Sequence, residues 1–348
     1  MRQADAATLF GPEDLRLVAA ALPPLPAGMV RIRFAAGGIC GSDLHYFRHA
    51  RTGDFIVTSP LVLGHEMAGV VDEVGEGVHG LAPGAKVAVN PSRWCGHCPR
   101  CREGRANLCE NIYFMGSASK TPHMQGGFAS LFDVTPPQCV PVPDDAPLAA
   151  VALAEPLAVC LHAVARAGEL AGRHALLIGA GPIGLLTMLA ARRAGVGRVT
   201  VADISAAPLA YAAKLGADAT ADLSAGSAAL DAASVGHPFD VVFEISGAPA
   251  GLATALRSVR RGGTVVQLGN LPGGAIEAPV NLVMSKEIEL RGSFRFDREF
   301  AEAVGLIVAG EVDVRAIVTG EMPLSAAPDA FRLALDRSRS LKVMLTAG

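Results

Sequence analysis

Four cysteines, Cys95, Cys98, Cys101 and Cys109, stand in the run Cys-Gly-His-Cys-Pro-Arg-Cys-Arg-Glu-Gly-Arg-Ala-Asn-Leu-Cys, spaced C-x2-C-x2-C-x7-C. Donors this close in sequence can surround one tetrahedral ion from a single lobe of chain, here residues 90–112, and fill every position with thiolate. That is the chemistry of a structural zinc, because no position stays open for substrate. Disulfide pairing is the competing reading. The x2 spacings favour the chelate, and nothing else in the chain has a secreted character. The lobe is therefore expected to clip a larger body together, with the reactive chemistry elsewhere.

Gly179-Ala180-Gly181-Pro182-Ile183-Gly184 follows the apolar run Ala175 to Ile178 and opens a helical pattern. A glycine loop of this kind means little alone, but between strand and helix it reads as a diphosphate cradle. Gly179 permits the tight turn, Gly181 lets backbone approach a pyrophosphate, and Gly184 lets helix and strand pack. The amides and dipole at the start of the helix, around Pro182 and Ile183, favour the anion. Asp203 comes 19 residues after Gly184, where an acid accepts from the adenosine ribose diol. Ile204, Ser205, Ala206 and Ala207 follow it, with no cation for a 2′-phosphate. NAD is expected over NADP.

Three further stretches carry donors: Cys40 in Gly-Gly-Ile-Cys-Gly-Ser-Asp-Leu-His-Tyr, Gly64-His65-Glu66, and Glu155 in Ala-Glu-Pro-Leu-Ala. Each has an ordinary explanation alone: a small core thiol, a satisfied buried imidazole, a helix-start carboxylate. Their joint occurrence beside a cysteine lobe and a dinucleotide loop weighs against those separate explanations.

The elements that must position these groups fall into two regions. Up to about residue 150 the chain shows short extended pieces, Val30 to Ala35, Met67 to Val74 and Lys86 to Asn90, punctuated by Gly and Pro. From residue 151 strands and helices alternate. Strands are expected at His174 to Ile178, Arg198 to Ala202, Asp240 to Ile245, Thr264 to Leu268 and Glu289 to Gly292, with helices at Pro182 to Ala194 and around Ala207 to Leu215. Apolar strands separated by helices predict a parallel sheet covered on both faces. The tail adds helical patterns at Arg298 to Val308 and Ala326 to Asp336 and a strand at Lys342 to Leu345.

A length of 348 residues favours two domains, and a net charge of −3 without a basic block argues against nucleic acid or an anionic membrane as partner. Seven cysteines, an odd number with four of them clustered, read as reduced thiols plus metal in a cytoplasmic setting; Cys139 and Cys160 are left to pack. No signal peptide is expected at the N-terminus. The apolar stretch Ala146 to Ala167 is broken by Glu155, Pro156 and His162, so no membrane span is expected.

Cys-Gly-Ser-Asp from Cys40, Gly-His-Glu from Gly64, the cysteine quartet, Glu-Pro-Leu from Glu155 and the glycine loop together make the chain resemble the zinc-dependent medium-chain dehydrogenases of the polyol branch, over essentially its full length. Gly37 to Tyr46, Asn90-Pro91-Ser92, Phe114 to Phe128 and Leu290 to Phe296 bring the resemblance closer to members acting on the sugar acid L-idonate. The resemblance implies an α/β protein: a GroES-like β-rich catalytic domain over 1–150, a Rossmann NAD-binding domain over 151–294, and a segment 295–348 returning to the catalytic domain, with the site in the cleft. It implies one catalytic and one structural zinc. Cys40 and His65 would ligate the catalytic ion, with Glu66 or Glu155 as the further protein ligand and the other holding a bound water. That zinc would act as Lewis acid on a secondary hydroxyl while hydride passes to NAD. Ser42 and then His45 would carry the proton to solvent. Tyr46 and Arg295 would contact substrate, Arg295 facing a carboxylate, with Arg93, Lys120 and His123 as alternatives. A neutral polyol such as sorbitol or xylitol is the competing substrate, and a homodimer or homotetramer the expected assembly. A catalytically silent relative is disfavoured by the intact donors, and a zinc ribbon binding nucleic acid by the acidic balance.

Overall fold

A computed structural model describes residues 2–348 of the protein. The chain divides into two units, Met1–Glu155 with Phe300–Gly348, and Pro156–Glu299. The divisions thus fall at 155/156 and 299/300, each about five residues later than the sequence suggested.

The first unit is built on a seven-stranded sheet. Its strands run in the order Cys139–Pro141, Lys86–Val89, Glu66–Val74, Val30–Gly38, Lys342–Thr346, Val318–Pro323, with Leu131–Val134 also on Val30–Gly38. Val30, Ile32, Phe34 and Ala36 alternate along the central strand and are all buried, the period-2 pattern of a core face. The C-terminal segment is integral to this unit. Lys342–Thr346 pairs antiparallel with Val30–Gly38, Met344 opposite Gly38. Phe331, on the helix Ala327–Leu335, meets Phe47 and Phe128 edge-on at 5.4 and 6.2 Å between centroids. Phe331 is fully buried, so its replacement by Ala would cost about 3–5 kcal/mol.

Two features of this unit were not anticipated. One is the hairpin of Gln3–Gly11 and Asp14–Ala21, whose alanine-rich strands have weak β propensity. The other is the helix Gly41–His49, which presents no simple apolar stripe.

In the second unit six strands lie in one parallel sheet. Their order is Ala219–Asp222, Arg198–Asp203, His174–Ile178, Phe239–Glu244, Val259–Gln267, Glu289–Gly292. Numbered within the unit this is 3-2-1-4-5-6, the doubly wound arrangement whose switch point lies beside the first strand. His174–Ile178 is buried at every position, as a central parallel strand covered on both faces must be. The helix Pro182–Arg193 starts with proline, whose missing N–H costs nothing in the first turn. The short strand Ala219–Asp222 escaped the sequence reading because its apolar content is too low for a buried run. Among the described residues no helix is long and apolar enough to cross a membrane.

Candidate metal centre, structural lobe and cofactor loop

The four lobe sulfurs converge within 4.8 Å of one another, and all seven cysteines are free thiols. Cys95 Sγ and Cys101 Sγ are 4.0 Å apart. A disulfide needs about 2.05 Å, whereas sulfurs at 2.3 Å from one tetrahedral zinc stand about 3.8 Å apart. Local backbone prepares the donors. The Cys95 amide points at Cys109 Sγ at 3.3 Å, and the Cys98 amide at Cys95 Sγ at 3.4 Å. Amides of Cys101 and Glu110 push the Cys98 thiol down to about 6, while burial among its neighbours pushes Cys101 up to about 12. Crowded thiols that cannot all ionise together are what a dication would relieve.

The second cluster draws on three separate elements. Cys40 is the N-cap of the helix Gly41–His49, His65 ends a loop, and Glu66 begins the strand Glu66–Val74. One donor atom from each lies within 4.8 Å of the others. Asp43 organises the group from inside the helix. It is fully buried, and its carboxylate accepts from the amides of Cys40 at 3.1 Å and Gly64 at 3.3 Å. His65 Nδ1 is 3.5 Å from Asp43 Oδ1, which turns the ring so that Nε2 faces the other way. Burial would lower the His65 pKa, but Asp43 and Cys40 outweigh it and carry it well above the usual imidazole range. Ser42 Oγ lies 3.5 Å from His65 Nε2, at the limit of a hydrogen bond, and His45 follows one turn along the helix.

Lys342 completes this cluster, and no sequence motif pointed to it. It is buried, with Nζ donating to Glu66 Oε1 at 2.7 Å and to the Ile39 carbonyl at 2.9 Å. Glu66 Oε2 is 2.5 Å from the same nitrogen, yet without a well-directed hydrogen bond. Burial would lower the Lys342 pKa, but Glu66, Cys40 and Glu155 outweigh it and raise it, so the ammonium is kept. Gly38 sits directly opposite Glu66 in the sheet. A Cβ there would fall 2.0 Å from Glu66 Oε2 and 2.8 Å from Lys342 Cε. Glu155 is buried in the first turn of the helix Ala154–Ala167. A cysteine sulfur, a histidine ring nitrogen and a carboxylate with an undirected buried oxygen form a donor set that fits zinc with a position to spare.

In the second unit Gly179 has φ +111°, a conformation that favours glycine, and a Cβ on Gly184 would meet the Gly179 carbonyl at 2.0 Å. Nothing lies within 4 Å of a Cβ built on Gly181, which caps the helix Pro182–Arg193, so the backbone there can be approached closely. Asp203 ends its strand as expected. Its Oδ2 accepts from the Ala180 amide at 2.7 Å and its Oδ1 from Ser205 at 3.0 Å, which ties acid to loop.

Other expected contact residues also touch neighbours within the protein. Tyr46 is buried in the core, and its phenol oxygen accepts the Ala118 amide at 3.0 Å. Arg295 adopts φ +52° and stacks over Phe294 at 4.9 Å. His123 has both ring nitrogens engaged, with Thr58 N at 2.9 Å and the Lys120 carbonyl at 2.9 Å, and Arg93 lies over Tyr113. Cys139 and Cys160 are buried.

Known proteins resemble this chain in sequence and fold. The alcohol dehydrogenase GroES-like domain matches residues 26–144 and the zinc-binding dehydrogenase domain matches residues 182–309. L-idonate 5-dehydrogenase (NAD(P)(+)) of Escherichia coli K12 is 40% identical over 314 residues, 90% of each chain. Its crystal structure superposes with a TM-score of 0.93 at 36% identity, covering 99% of this chain and 98% of that one. Sorbitol dehydrogenase of Arabidopsis thaliana is 36% identical over 97% of this chain and 94% of its own length. A crystal structure from Sinorhizobium meliloti 1021 bound to NADP has a TM-score of 0.90 at 32% identity, covering 99% and 100% of the two chains. The chain belongs to the zinc-binding alcohol dehydrogenase family, with a GroES-like domain and a Rossmann-type domain. It is a zinc-dependent NAD(P) oxidoreductase acting on CH–OH groups.

Proposed function

We propose that this enzyme oxidises a secondary hydroxyl of a sugar acid, L-idonate to 5-dehydro-D-gluconate, reversibly and with NAD. The reaction rests on one observation above the rest, the convergence of donor atoms from Cys40, His65 and the buried Glu66 within 4.8 Å of one another. The substrate rests on the 40% identity to the Escherichia coli enzyme.

Cys40, His65 and Glu66 would hold the catalytic zinc, and the cysteine quartet the structural one. Glu66 is preferred to Glu155 as the third ligand because it lies within the cluster. A zinc there supplies Lewis-acid polarisation of the hydroxyl, and NAD supplies the hydride acceptor. The chain's own residues handle the proton. Ser42 Oγ takes it beside His65, and His45, one turn on, passes it outward. Burial, then the charges of His49 and Arg337, lower the His45 pKa, so its ring is neutral and able to accept near pH 7. Asp203 keeps lone pairs for the ribose diol beyond the two it gives to backbone amides. Arg295 offers a guanidinium to the substrate carboxylate, and Tyr46 a hydroxyl proton.

A neutral polyol is the second reading, favoured by the 36% identity to a sorbitol dehydrogenase over nearly the whole chain. The enzyme is proposed to work in the cytoplasm as a homo-oligomer. Glu289–Gly292 is an edge strand with exposed Leu290, and the same unit exposes Val280, Met284 and Phe294. Initial rates on L-idonate, sorbitol and xylitol, each with NAD and NADP, test the proposal. The highest kcat/KM should fall on L-idonate with NAD. Turnover of sorbitol with none of L-idonate would overturn the substrate.

A further inference from the structure

We infer that Lys342 is a positioning residue that competes with the catalytic metal for the Glu66 carboxylate, keeping that ligand only partly committed. The inference rests on the metal centre proposed above. Both carboxylate oxygens lie against the ammonium, Oε1 at 2.7 Å and Oε2 at 2.5 Å, and the carboxylate is fully buried. Carboxylate and ammonium are both buried, so a metal held by Glu66 would share it with Lys342.

The backbone holds Lys342 in place. Met344 pairs with Gly38, and two residues further along that antiparallel register Lys342 comes level with Cys40. The Ile39 amide donates to the Val343 carbonyl at 3.0 Å, and the Ile39 carbonyl accepts from Nζ. Gly38 is bare on the side where carboxylate and lysine stem meet. The pairing fixes the lysine's backbone beside the carboxylate, and the strand carrying it belongs to the C-terminal segment, 276 residues from its partner. A fixed positive charge this close weakens the hold of a second cation on the same carboxylate. The lysine thereby trades tight retention of the metal for a ligand that can yield during turnover.

Zinc release to a chromogenic chelator tests this, the four-thiolate zinc serving as the slow internal reference. In Lys342→Met the labile zinc should leave about ten-fold more slowly, within the range for residues that act on a metal through its ligand. Lys342→Arg should stay near wild type, and kcat of Lys342→Met should fall more than its KM rises. A merely structural role predicts the opposite sign, faster loss of metal. The change should shrink when Glu66→Gln is already present. Equal or faster release from Lys342→Met, or the same slowing with and without Glu66→Gln, would overturn the competition. If Lys342→Met does not accumulate folded, Lys342→Gln carries the same test. Wild-type protein holding only the four-thiolate zinc would overturn the metal centre and this inference with it, whereas two zincs with unchanged release would overturn the inference alone.

Discussion

In the cysteine lobe four donors come from fifteen consecutive residues, and amides of the same stretch tune them. Cys40, His65 and Glu66 instead come from a helix start, a loop and a strand, with Asp43 on that same helix and Lys342 on another strand beside them. The lobe can close its shell by itself, which suits a metal that holds structure. The second cluster exists only when the sheet is complete, and its surroundings include a cation that no metal shell needs. The difference teaches that a local chelate serves folding, whereas a chelate assembled across the fold can be left unsaturated and used.

Substituting one donor in each cluster gives the sharpest separation. Cys40→Ala should lower kcat/KM on the order of 10³-fold, because Lewis-acid stabilisation is worth several kcal/mol, and should shift the melting temperature little. Cys101→Ser should do the reverse, since structural metal binding is coupled to folding. Its soluble yield and melting temperature should fall, while the folded remainder keeps its turnover. Zinc content, melting curves and kinetics on both variants check this pair, and similar profiles would erase the distinction.

Smaller effects extend the contrast to groups outside the metal clusters. Arg295→Ala should cost about 1.5–3 kcal/mol in kcat/KM on a sugar acid, the range for a charged hydrogen bond, and less on a neutral polyol of similar length. Equal losses on both would reduce Arg295 to a general hydroxyl contact. Gly38→Ala should destabilise the protein by about 1–3 kcal/mol, because its Cβ would overlap the Glu66–Lys342 pair. The loss should appear together with altered zinc release from the labile site and leave the lobe zinc unaffected. A variant with wild-type stability and metal kinetics would show that the pair has room to move. Replacing Asp203 with Ser and Ile204 with Arg should move the NAD/NADP preference about ten-fold toward NADP, roughly 1.4 kcal/mol. It should also loosen the glycine loop, since Asp203 supports the Ala180 amide. Wild-type enzyme preferring NADP would remove the basis for this change.

Motifs whose function lies in short-range spacing are legible in the amino-acid sequence itself. The cysteine quartet, the glycine loop and Asp203 need only neighbours in the chain or one βαβ unit, and the strands from His174–Ile178 onward carry their burial in their apolar composition. Cys40, His65 and Glu66 could be named as donors because they sit in two short motifs, Cys-Gly-Ser-Asp and Gly-His-Glu, but the spacing left Glu66 and Glu155 as equals. The sheet register brought Glu66 into the cluster, by setting Gly38 opposite it and leaving no side chain between. Lys342 had no signal at all. A lysine near the end of a chain reads as solvated, and only the antiparallel pairing of Lys342–Thr346 with Val30–Gly38 puts its ammonium beside a buried carboxylate. Asp43 stood inside a motif, yet its work as the support of His65 depends on a helix cap and a loop meeting in space. Local chemistry determined which cofactors the chain could hold. Tertiary pairing decided which carboxylate lies beside Cys40 and His65 and which charge stands against it, because buried charges are set by what folds against them.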